Sequence, residues 1–120
     1  MDKRSLKRER GRAGEETALR YLQEKGAVIL ARNYTCRAGE IDIIAEIDHF
    51  IAFIEVKYRS TALYGTPAEA VDRRKQRRIC KTALHYLSKC NTLERDVRFD
   101  VVEITPCGIN HIESAFDYVQ

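Results

Sequence analysis

The sequence lacks any apolar run that approaches the roughly 20 residues needed to cross a bilayer, and its basic N-terminus lacks the hydrophobic segment of a signal peptide. It also lacks a C-x-x-C pair, since its cysteines are scattered at Cys36, Cys80, Cys90 and Cys107. This spacing suggests neither a zinc knuckle nor a redox motif. We therefore expect a cytoplasmic protein that contacts no membrane and keeps its thiols free.

No repeat, low-complexity segment or linker interrupts the chain, which contains only two prolines. A chain of 120 residues usually builds a single hydrophobic core. Hydrophobic residues make up 44% of the sequence and charged residues 32%, and the charged share exceeds the usual value of about 25%. We expect one highly charged globular domain over residues 1–120, and hence one functional site.

The basic residues are unevenly distributed, although the formal net charge is only +3. One group falls within residues 1–12, and a second comprises Arg73, Arg74, Lys75, Arg77, Arg78 and Lys81. Each group is open to two interpretations. It is either a solvated face, which for residues 1–12 would be a flexible basic arm, or a surface that binds nucleic acid phosphates.

Hydrophobic periodicity predicts the element order α-β-β-β-α-β-β. A helix is predicted over residues 5–25. The prediction is clearest from Gly14 onward, because Gly11 and Gly14 weaken the earlier part of the helix. Strands are predicted over residues 28–33, 40–47 and 50–58 and, after a second helix, over 97–104 and 109–113. The two residues between the second and third strands, Asp48 and His49, predict a tight hairpin.

The second helix carries start signals at two places. Thr66, Pro67 and Glu69 form a capping-box pattern, and Asp72 offers a restart. The periodicity then gives this helix a basic face and an opposite packing face. The packing face is predicted to carry Ile79, Ala83, Leu84 and Leu87.

The stretch FIEVKYR, residues 53–59, places charged residues at the end of an apolar strand. Side chains alternate along a strand, so Glu55, Lys57 and Arg59 share one face. Asp42 lies among β-branched residues in the preceding strand, and the hairpin can bring it beside Glu55. A lone buried carboxylate costs several kcal/mol, and two adjacent carboxylates repel unless they share a proton or hold a cation. Hard oxygen ligands favour Mg²⁺ or Mn²⁺.

Lys57 adds a chemical role to this acid pair. A metal ion polarises a phosphoryl oxygen and acidifies a bound water, while an ammonium group orients that water or stabilises the growing negative charge. The three residues together indicate a phosphodiesterase site. If Asp42 were absent, the pair formed by Glu55 and Lys57 would more often be an exposed ion pair. The three histidines have no neighbours at metal-ligand spacing, so no role is assigned to them.

These motifs resemble those of a known nuclease superfamily. An acid on a first helix, followed by Asp42 and by Glu55-Val56-Lys57 on a hairpin, is similar to the PD-(D/E)xK nucleases and, among them, to the archaeal Holliday junction resolvases. More closely, the chain resembles the YraN family of bacterial proteins, which are regarded as predicted endonucleases. The match runs from about residue 11 to residue 116 and includes GRAGEETALRYLQEKG, ILARNY, GEIDIIA, FIEVKYR, TPAEAVDRRKQRR and RFDVVEI.

The resemblance implies a restriction-endonuclease-like α-β-β-β-α-β core, which is an α/β fold with a mixed central sheet flanked by helices. It implies that Asp42 and Glu55 bind the metal ion, that the Val56 carbonyl is a further ligand, and that Lys57 is the catalytic lysine. Ile41 stands where the superfamily often has a proline.

Several other residues extend this assignment. The helix acid that contacts the metal, directly or through water, matches Glu15, with Glu16 as a competing candidate. Glu40 shares a strand face with Asp42 and is either a supporting acid or a solvated strand end. Arg59 and the basic group of the second helix are expected to contact phosphates.

Two functions follow from these patterns. The first is a Mg²⁺- or Mn²⁺-dependent endonuclease that cleaves DNA, with branched or junction DNA as a candidate substrate, RNA as an open alternative and a homodimer by analogy with the resolvases. The second is a nucleic-acid-binding or assembly module on the same scaffold, with little or no turnover. The intact set of Asp42, Glu55 and Lys57 favours the first.

Overall fold

The computed structural model describes the backbone of residues 3–59 and 71–119, and the side chains of residues 13–59 and 71–119. Within these residues, two helices and five strands follow one another in the predicted order: α1 (Lys3–Glu24), β1 (Val28–Cys36), β2 (Gly39–Ile47), β3 (Phe50–Tyr58), α2 (Arg73–Lys89), β4 (Val97–Thr105) and β5 (Gly108–Phe116). Neither of these described helices is both long and apolar enough to span a membrane. The predicted α/β fold class is confirmed.

The helices begin at positions that the sequence left partly open. α1 starts at Lys3, so the backbone of residues 3–12, which could have formed a flexible arm, continues the helix. α2 starts after Asp72, whose Oδ1 accepts a hydrogen bond from Lys75 N at 2.8 Å and caps the first turn. The capping-box pattern of Thr66, Pro67 and Glu69 lies outside the described residues.

The five strands form one mixed sheet in the order β1-β2-β3-β4-β5. β3 and β4 are parallel, and the other neighbouring strands are antiparallel. The predicted hairpin joins β2 to β3, with Ile47 paired to Phe50. Asp48 and His49 both have positive φ angles, of 49° and 72°, as the type I′ turns of two-residue hairpins require.

Each face of the sheet packs against one helix. Alternation along β3 directs Ile51 and Phe53 toward α2, and Ala52 and Ile54 toward α1. Burial of a large aliphatic or aromatic side chain contributes about 1.5–3 kcal/mol, so the two layers hold β3 firmly between the helices. The helix residues buried in these layers are Ile79, Cys80, Ala83 and Leu87 of α2, and Ala18 and Leu22 of α1.

The predicted packing face of α2 is wrong at one position. Leu84 is 45% exposed, because it lies five residues after Ile79 and therefore about 140° around the helix axis. Ala83 and Leu87 follow Ile79 at intervals of four residues and stay buried. Thr82 is buried in addition, and its Oγ1 donates to the Arg78 carbonyl at 2.8 Å.

β2 and β3 separate at the end where the predicted acids lie. Their ladder ends at the pair Ile43 and Ile54, whereas β3 continues to pair with β4 as far as Tyr58 and Ile104. The last part of β3 therefore has no ladder partner on its β2 side, and backbone N–H groups there need another acceptor. A gap opens between the two strands below the first turns of α2.

Candidate active site

Asp42 lies in the gap between β2 and β3. Its Oδ2 accepts a hydrogen bond from Val56 N at 2.8 Å, so the carboxylate supplies the acceptor that the shortened ladder does not. Glu55, the residue before Val56, is 9% exposed and lines the same cleft as Asp42. The structure thus brings together the two acids that the hairpin was predicted to join.

The surroundings of Asp42 disfavour its negative charge. Burial raises its pKa most, and the charge of Glu55 raises it further, while the hydrogen bond from Val56 N lowers it and Glu15 and Glu40 add smaller increases. The result is a pKa of about 7, compared with an ordinary value of 3.8. A cation beside Asp42 would relieve this repulsion.

Two lysines provide positive charge at Glu55. Lys57 Nζ lies 3.8 Å from Glu55 Oε1, as expected for two residues on the same strand face. Lys75 Nζ lies closer, at 2.5 Å from the same oxygen. Lys75 was predicted as one of several phosphate contacts, but α2 places it within the acid site.

The two ammonium groups respond differently to this environment. Burial lowers the pKa of Lys57, the neighbouring Lys75 lowers it further, and Glu55 and Asp42 only partly oppose that change. Burial acts most strongly and lowers the pKa of Lys75, but the contact with Glu55, together with Lys57 and Asp42, raises it by more in total. Lys75 is therefore the more strongly retained cation, and Lys57 the more readily deprotonated one.

The two candidate acids on α1 face different partners. Glu16 Oε1 pairs with Arg32 NH2 at 2.5 Å, which directs Glu16 toward β1. Asn33 has a positive φ of 49°, and with its amide nitrogen turned toward the acids it donates to Glu15 Oε2 at 3.2 Å and to Glu40 Oε1 at 3.1 Å. Asn33 thus connects Glu15 to the strand that carries Asp42. Glu40 is exposed but shares this contact, and its role as a supporting acid stays a prediction.

Arg59, the predicted phosphate contact beyond Lys57, forms an ion pair. Its Nε lies 2.9 Å from Oε2 of Glu103, a buried acid of β4 that pairs in register with Lys57. The prediction that Arg59 contacts phosphate stays a prediction. Glu103 was not predicted, although an acid among the β-branched residues of a central strand gives the same signal that identified Asp42.

A cleft of about 230 Å³ opens over the acid pair. A water molecule takes up about 30 Å³ of liquid, so the cleft has room for a hydrated ion and a phosphate group. Its other lining residues are Gly39, Glu40, Lys75, Arg78 and Ile79. Next to it, a second depression is lined by Cys36, Arg37, Ala38, Lys81 and His85.

Apart from Lys75, which lies in the acid site, the predicted basic residues of α2 form two overlapping stripes. Arg74, Arg78 and Lys81 follow one another at intervals of four and three residues, so they share a side of the helix. Arg78 and Lys81 line the clefts described above. Arg73 and Arg77 are exposed and lie about 100° around the helix axis from Arg74 and Arg78. The structure therefore directs only part of the basic group toward the acids.

Within residues 13–59 and 71–119, no group of three or more Asp, Glu, His or Cys side chains is arranged to hold a metal ion. Mg²⁺ needs fewer protein ligands, because it binds one or two carboxylates together with waters and substrate phosphates. The paired oxygens of Asp42 and Glu55 fit that requirement, as does the repulsion that raises the pKa of Asp42. The predicted Val56 carbonyl ligand stays a prediction.

A further buried carboxylate lies in β4, away from this cleft. Asp100 is completely buried and accepts hydrogen bonds from Arg98 Nε at 3.1 Å and from Ser114 N at 3.0 Å. Its Oδ2 also lies 2.8 Å from His111 Nε2, and the His111 ring contacts Tyr21 of α1. Sequence reasoning assigned neither Asp100 nor His111 a role.

A protein-family model, described as uncharacterised protein family UPF0102, matches residues 14–104 of the chain. The chain belongs to the UPF0102 family. This is the family that the sequence blocks resemble under the name YraN, so that resemblance is confirmed.

Relatives in the UPF0102 family align over most of their length. The protein from Myxococcus xanthus is 45% identical over 115 residues, which cover 92% of this chain and 91% of the relative. The protein from Persephonella marina is 44% identical over 108 residues, covering 90% and 93%, and that from Clostridioides difficile is 44% identical over 111 residues, covering 91% and 97%. Each is named only as a UPF0102 protein.

Proposed function

We propose that this UPF0102 protein is a Mg²⁺- or Mn²⁺-dependent endonuclease that hydrolyses phosphodiester bonds in DNA. The observation that carries the proposal is the pair Asp42 and Glu55, which lies where β2 and β3 separate, with Lys57 beside it. The resemblance of the motifs to PD-(D/E)xK nucleases supports the same activity.

The residues of the cleft divide the chemistry between them. A metal ion held by Asp42, Glu55 and the Val56 carbonyl, with Glu15 acting directly or through water, would polarise a phosphoryl oxygen and lower the pKa of a bound water. Lys57 donates hydrogen bonds to the attacked phosphate and stabilises the negative charge that grows on it. Its position on β3, between two packed helices, holds the ammonium group close to Glu55.

The positive side of α2 is the proposed DNA-binding surface. Helices rise about 1.5 Å per residue, so the stripe from Arg74 to Lys81 extends about 10 Å from the edge of the acid cleft. A duplex carries one negative charge per roughly 1.7 Å of its axis, so several phosphates lie within that length. Arg59 would add a contact at the end of β3.

The finer substrate rests on the sequence resemblance, and the cellular setting on the lack of a long apolar run and of a signal-peptide segment in the sequence. Branched or junction DNA is the proposed substrate, and a homodimer would supply the two active sites that paired incisions require. The reaction would take place in the cytoplasm. RNA is a competing substrate, since phosphate contacts alone do not distinguish the two nucleic acids.

One observation favours a second function, a nucleic-acid-binding or assembly module with little or no turnover. Glu55 is in contact with two lysines, Lys57 and Lys75, so its charge is neutralised without a metal ion. A module of this kind would bind DNA through α2 but would have no divalent-ion site that depends on Glu55.

The decisive experiment is a cleavage assay with labelled linear, flapped and four-way DNAs and matched RNAs, in Mg²⁺, in Mn²⁺ and with a chelator. We expect metal-dependent cleavage by the wild-type protein and a loss of about 10³-fold or more for Asp42→Asn, equivalent to about 4 kcal/mol of transition-state stabilisation. The Asn side chain still accepts from Val56 N, so the variant should fold.

Glu16→Gln is the matched control, because it removes one carboxylate from α1 at a position that pairs with Arg32 instead of facing the site. It should cleave as the wild type does. Equal trace cleavage by wild type and Asp42→Asn would rule out the catalytic proposal and leave the binding module.

A further inference from the structure

Lys75 occupies a position that the nuclease proposal does not use. Its Nζ is 2.5 Å from Glu55 Oε1, whereas Lys57 Nζ is 3.8 Å from that oxygen. Lys75 also lines the cleft together with Asp42 and Arg78. The shortest cationic contact of the acid pair therefore comes from α2 and not from the strand that carries the nuclease motif.

The charges of the cleft balance without a metal ion when all four groups are ionised. The carboxylates of Asp42 and Glu55 face the ammonium groups of Lys57 and Lys75. A divalent ion that bound between the carboxylates would lie next to Lys75 and would compete with it for Glu55 Oε1. Because like charges repel strongly in a partly buried site, the metal ion and this contact of Lys75 exclude each other.

Of the two lysines, Lys75 is the one free to move away. Lys57 extends from β3, which pairs with β4 at that position, and its side chain is 28% exposed. Lys75 extends from the first turn of α2, at the edge of the cleft, and its side chain is 39% exposed. Its four-carbon stem allows the ammonium group to turn toward the cleft mouth without movement of the helix.

We infer that Lys75 is a resident cation that occupies the metal position at Glu55 and is displaced when Mg²⁺ or Mn²⁺ binds. This inference rests on the proposed metal-dependent function and adds a positioning residue to it. The displaced ammonium group lies on the same wall as Arg78, where a substrate phosphate would accept its hydrogen bonds. DNA therefore strengthens metal binding, because it gives Lys75 an alternative partner.

Calorimetric titration of Mn²⁺ into the DNA-free protein tests the inference. Lys75→Met should bind Mn²⁺ about tenfold more tightly than the wild type, since the competing charge is gone. Lys75→Arg should bind Mn²⁺ more weakly than the wild type, because a guanidinium group can donate two parallel hydrogen bonds to a carboxylate and is harder to displace. The matched control is Arg73→Met, which loses the same charge at an exposed position two residues earlier, outside the stripe proposed to bind DNA, and should stay within about twofold of the wild type.

The possible outcomes separate this inference from the nuclease proposal. A merely structural role for Lys75 would leave Mn²⁺ affinity equal or reduced in Lys75→Met, and that result would overturn the inference. The proposed metal site would still stand if Glu55→Gln abolished Mn²⁺ binding. Absence of Mn²⁺ binding in both wild type and Lys75→Met would overturn both. If Lys75→Met did not fold, Lys75→Arg binding Mn²⁺ as tightly as the wild type would by itself contradict the inference.

Discussion

Asp42 and Asp100 are both carboxylates buried in the central sheet, but the fold surrounds them in opposite ways. Asp100 receives hydrogen bonds from Arg98 and from Ser114 N, and it contacts His111. Asp42 receives one backbone hydrogen bond, from Val56 N, and faces a second acid, Glu55, that raises its pKa. One carboxylate is neutralised by its own hairpin, whereas the other lies beside a second acid at a cleft, and the nearby Lys57 and Lys75 contact that second acid.

This difference separates a structural acid from a candidate functional one. The hydrogen bond from Val56 N needs only an acceptor, and an asparagine oxygen would accept it without repelling Glu55. The charge of Asp42 therefore adds nothing to the fold that an amide would not supply. A bound cation is the partner that would make the charge favourable, and this argument does not apply to Asp100, whose cationic partner Arg98 is part of the protein.

The largest expected effect on stability is that of Asp100→Asn. The substitution takes the buried anion from the Arg98 guanidinium and leaves it only the exposed Glu113, 3.5 Å away. Breaking a buried ion pair costs about 3 kcal/mol. Urea unfolding at pH 8 with a chelator measures the free energy of unfolding. If Asp100→Asn were as stable as the wild type, the contrast between the two acids would be lost.

Asp42→Asn should act in the opposite direction, and its effect should depend on pH. The pKa of Asp42 is raised to about 7 from 3.8, so the folded protein keeps a proton that the unfolded chain releases. The wild-type free energy of unfolding therefore falls as pH rises from about 4 to about 7, by up to about 1.4 kcal/mol per pH unit from this group. The stability that the proton on Asp42 contributes is fully present below the pKa of this residue in the unfolded chain, and it is lost above about pH 7.

Asparagine does not titrate, so the free energy of unfolding of Asp42→Asn relative to the wild type should increase by about 2 kcal/mol as the pH is raised from about 5 to about 7. Urea unfolding in chelator at both pH values measures this gain. Glu16→Gln, whose carboxylate pairs with Arg32, serves as the control. A gain independent of pH would show that Asp42 is not the titrating group.

A smaller effect should separate the two basic stripes of α2. Arg78→Gln with Lys81→Gln removes charge next to the acid cleft, whereas Arg73→Gln with Arg77→Gln removes the same charge from the other stripe. We expect the first double variant to lose about tenfold in DNA affinity. The slope of log affinity against log salt concentration should become less steep by about 0.9 for each of the two lost phosphate contacts. Fluorescence anisotropy at several salt concentrations measures both quantities.

The second double variant should lose less affinity. Equal losses from the two variants would mean that α2 binds DNA without directing it to the acids, which would favour the binding module over the nuclease.

Features that depend on neighbours along the chain could be predicted from the amino-acid sequence. Alternation placed Glu55 and Lys57 on one face of β3, and the two-residue turn at Asp48 and His49 made it possible to predict that Asp42 would lie close to Glu55. The order of the elements along the chain and most of the α2 packing face follow from the same short-range rules, which also offered Asp72 as one of two starts for α2. A shift of one residue would reverse every side chain in a strand, so these patterns are strongly specified.

Contacts between residues of separate elements could not be predicted in this way, because they follow from how the elements pack together. Lys75 reaches Glu55 because α2 packs on the sheet with Ile79 and Ala83 inward, which turns Lys75 toward the gap between β2 and β3. In the same way, Asn33 of β1 joins Glu15 of α1 to Glu40, and His111 of β5 reaches Asp100 of β4. These contacts depend on how whole elements are rotated and docked, which is set by packing of the two cores and not by periodicity within any one segment.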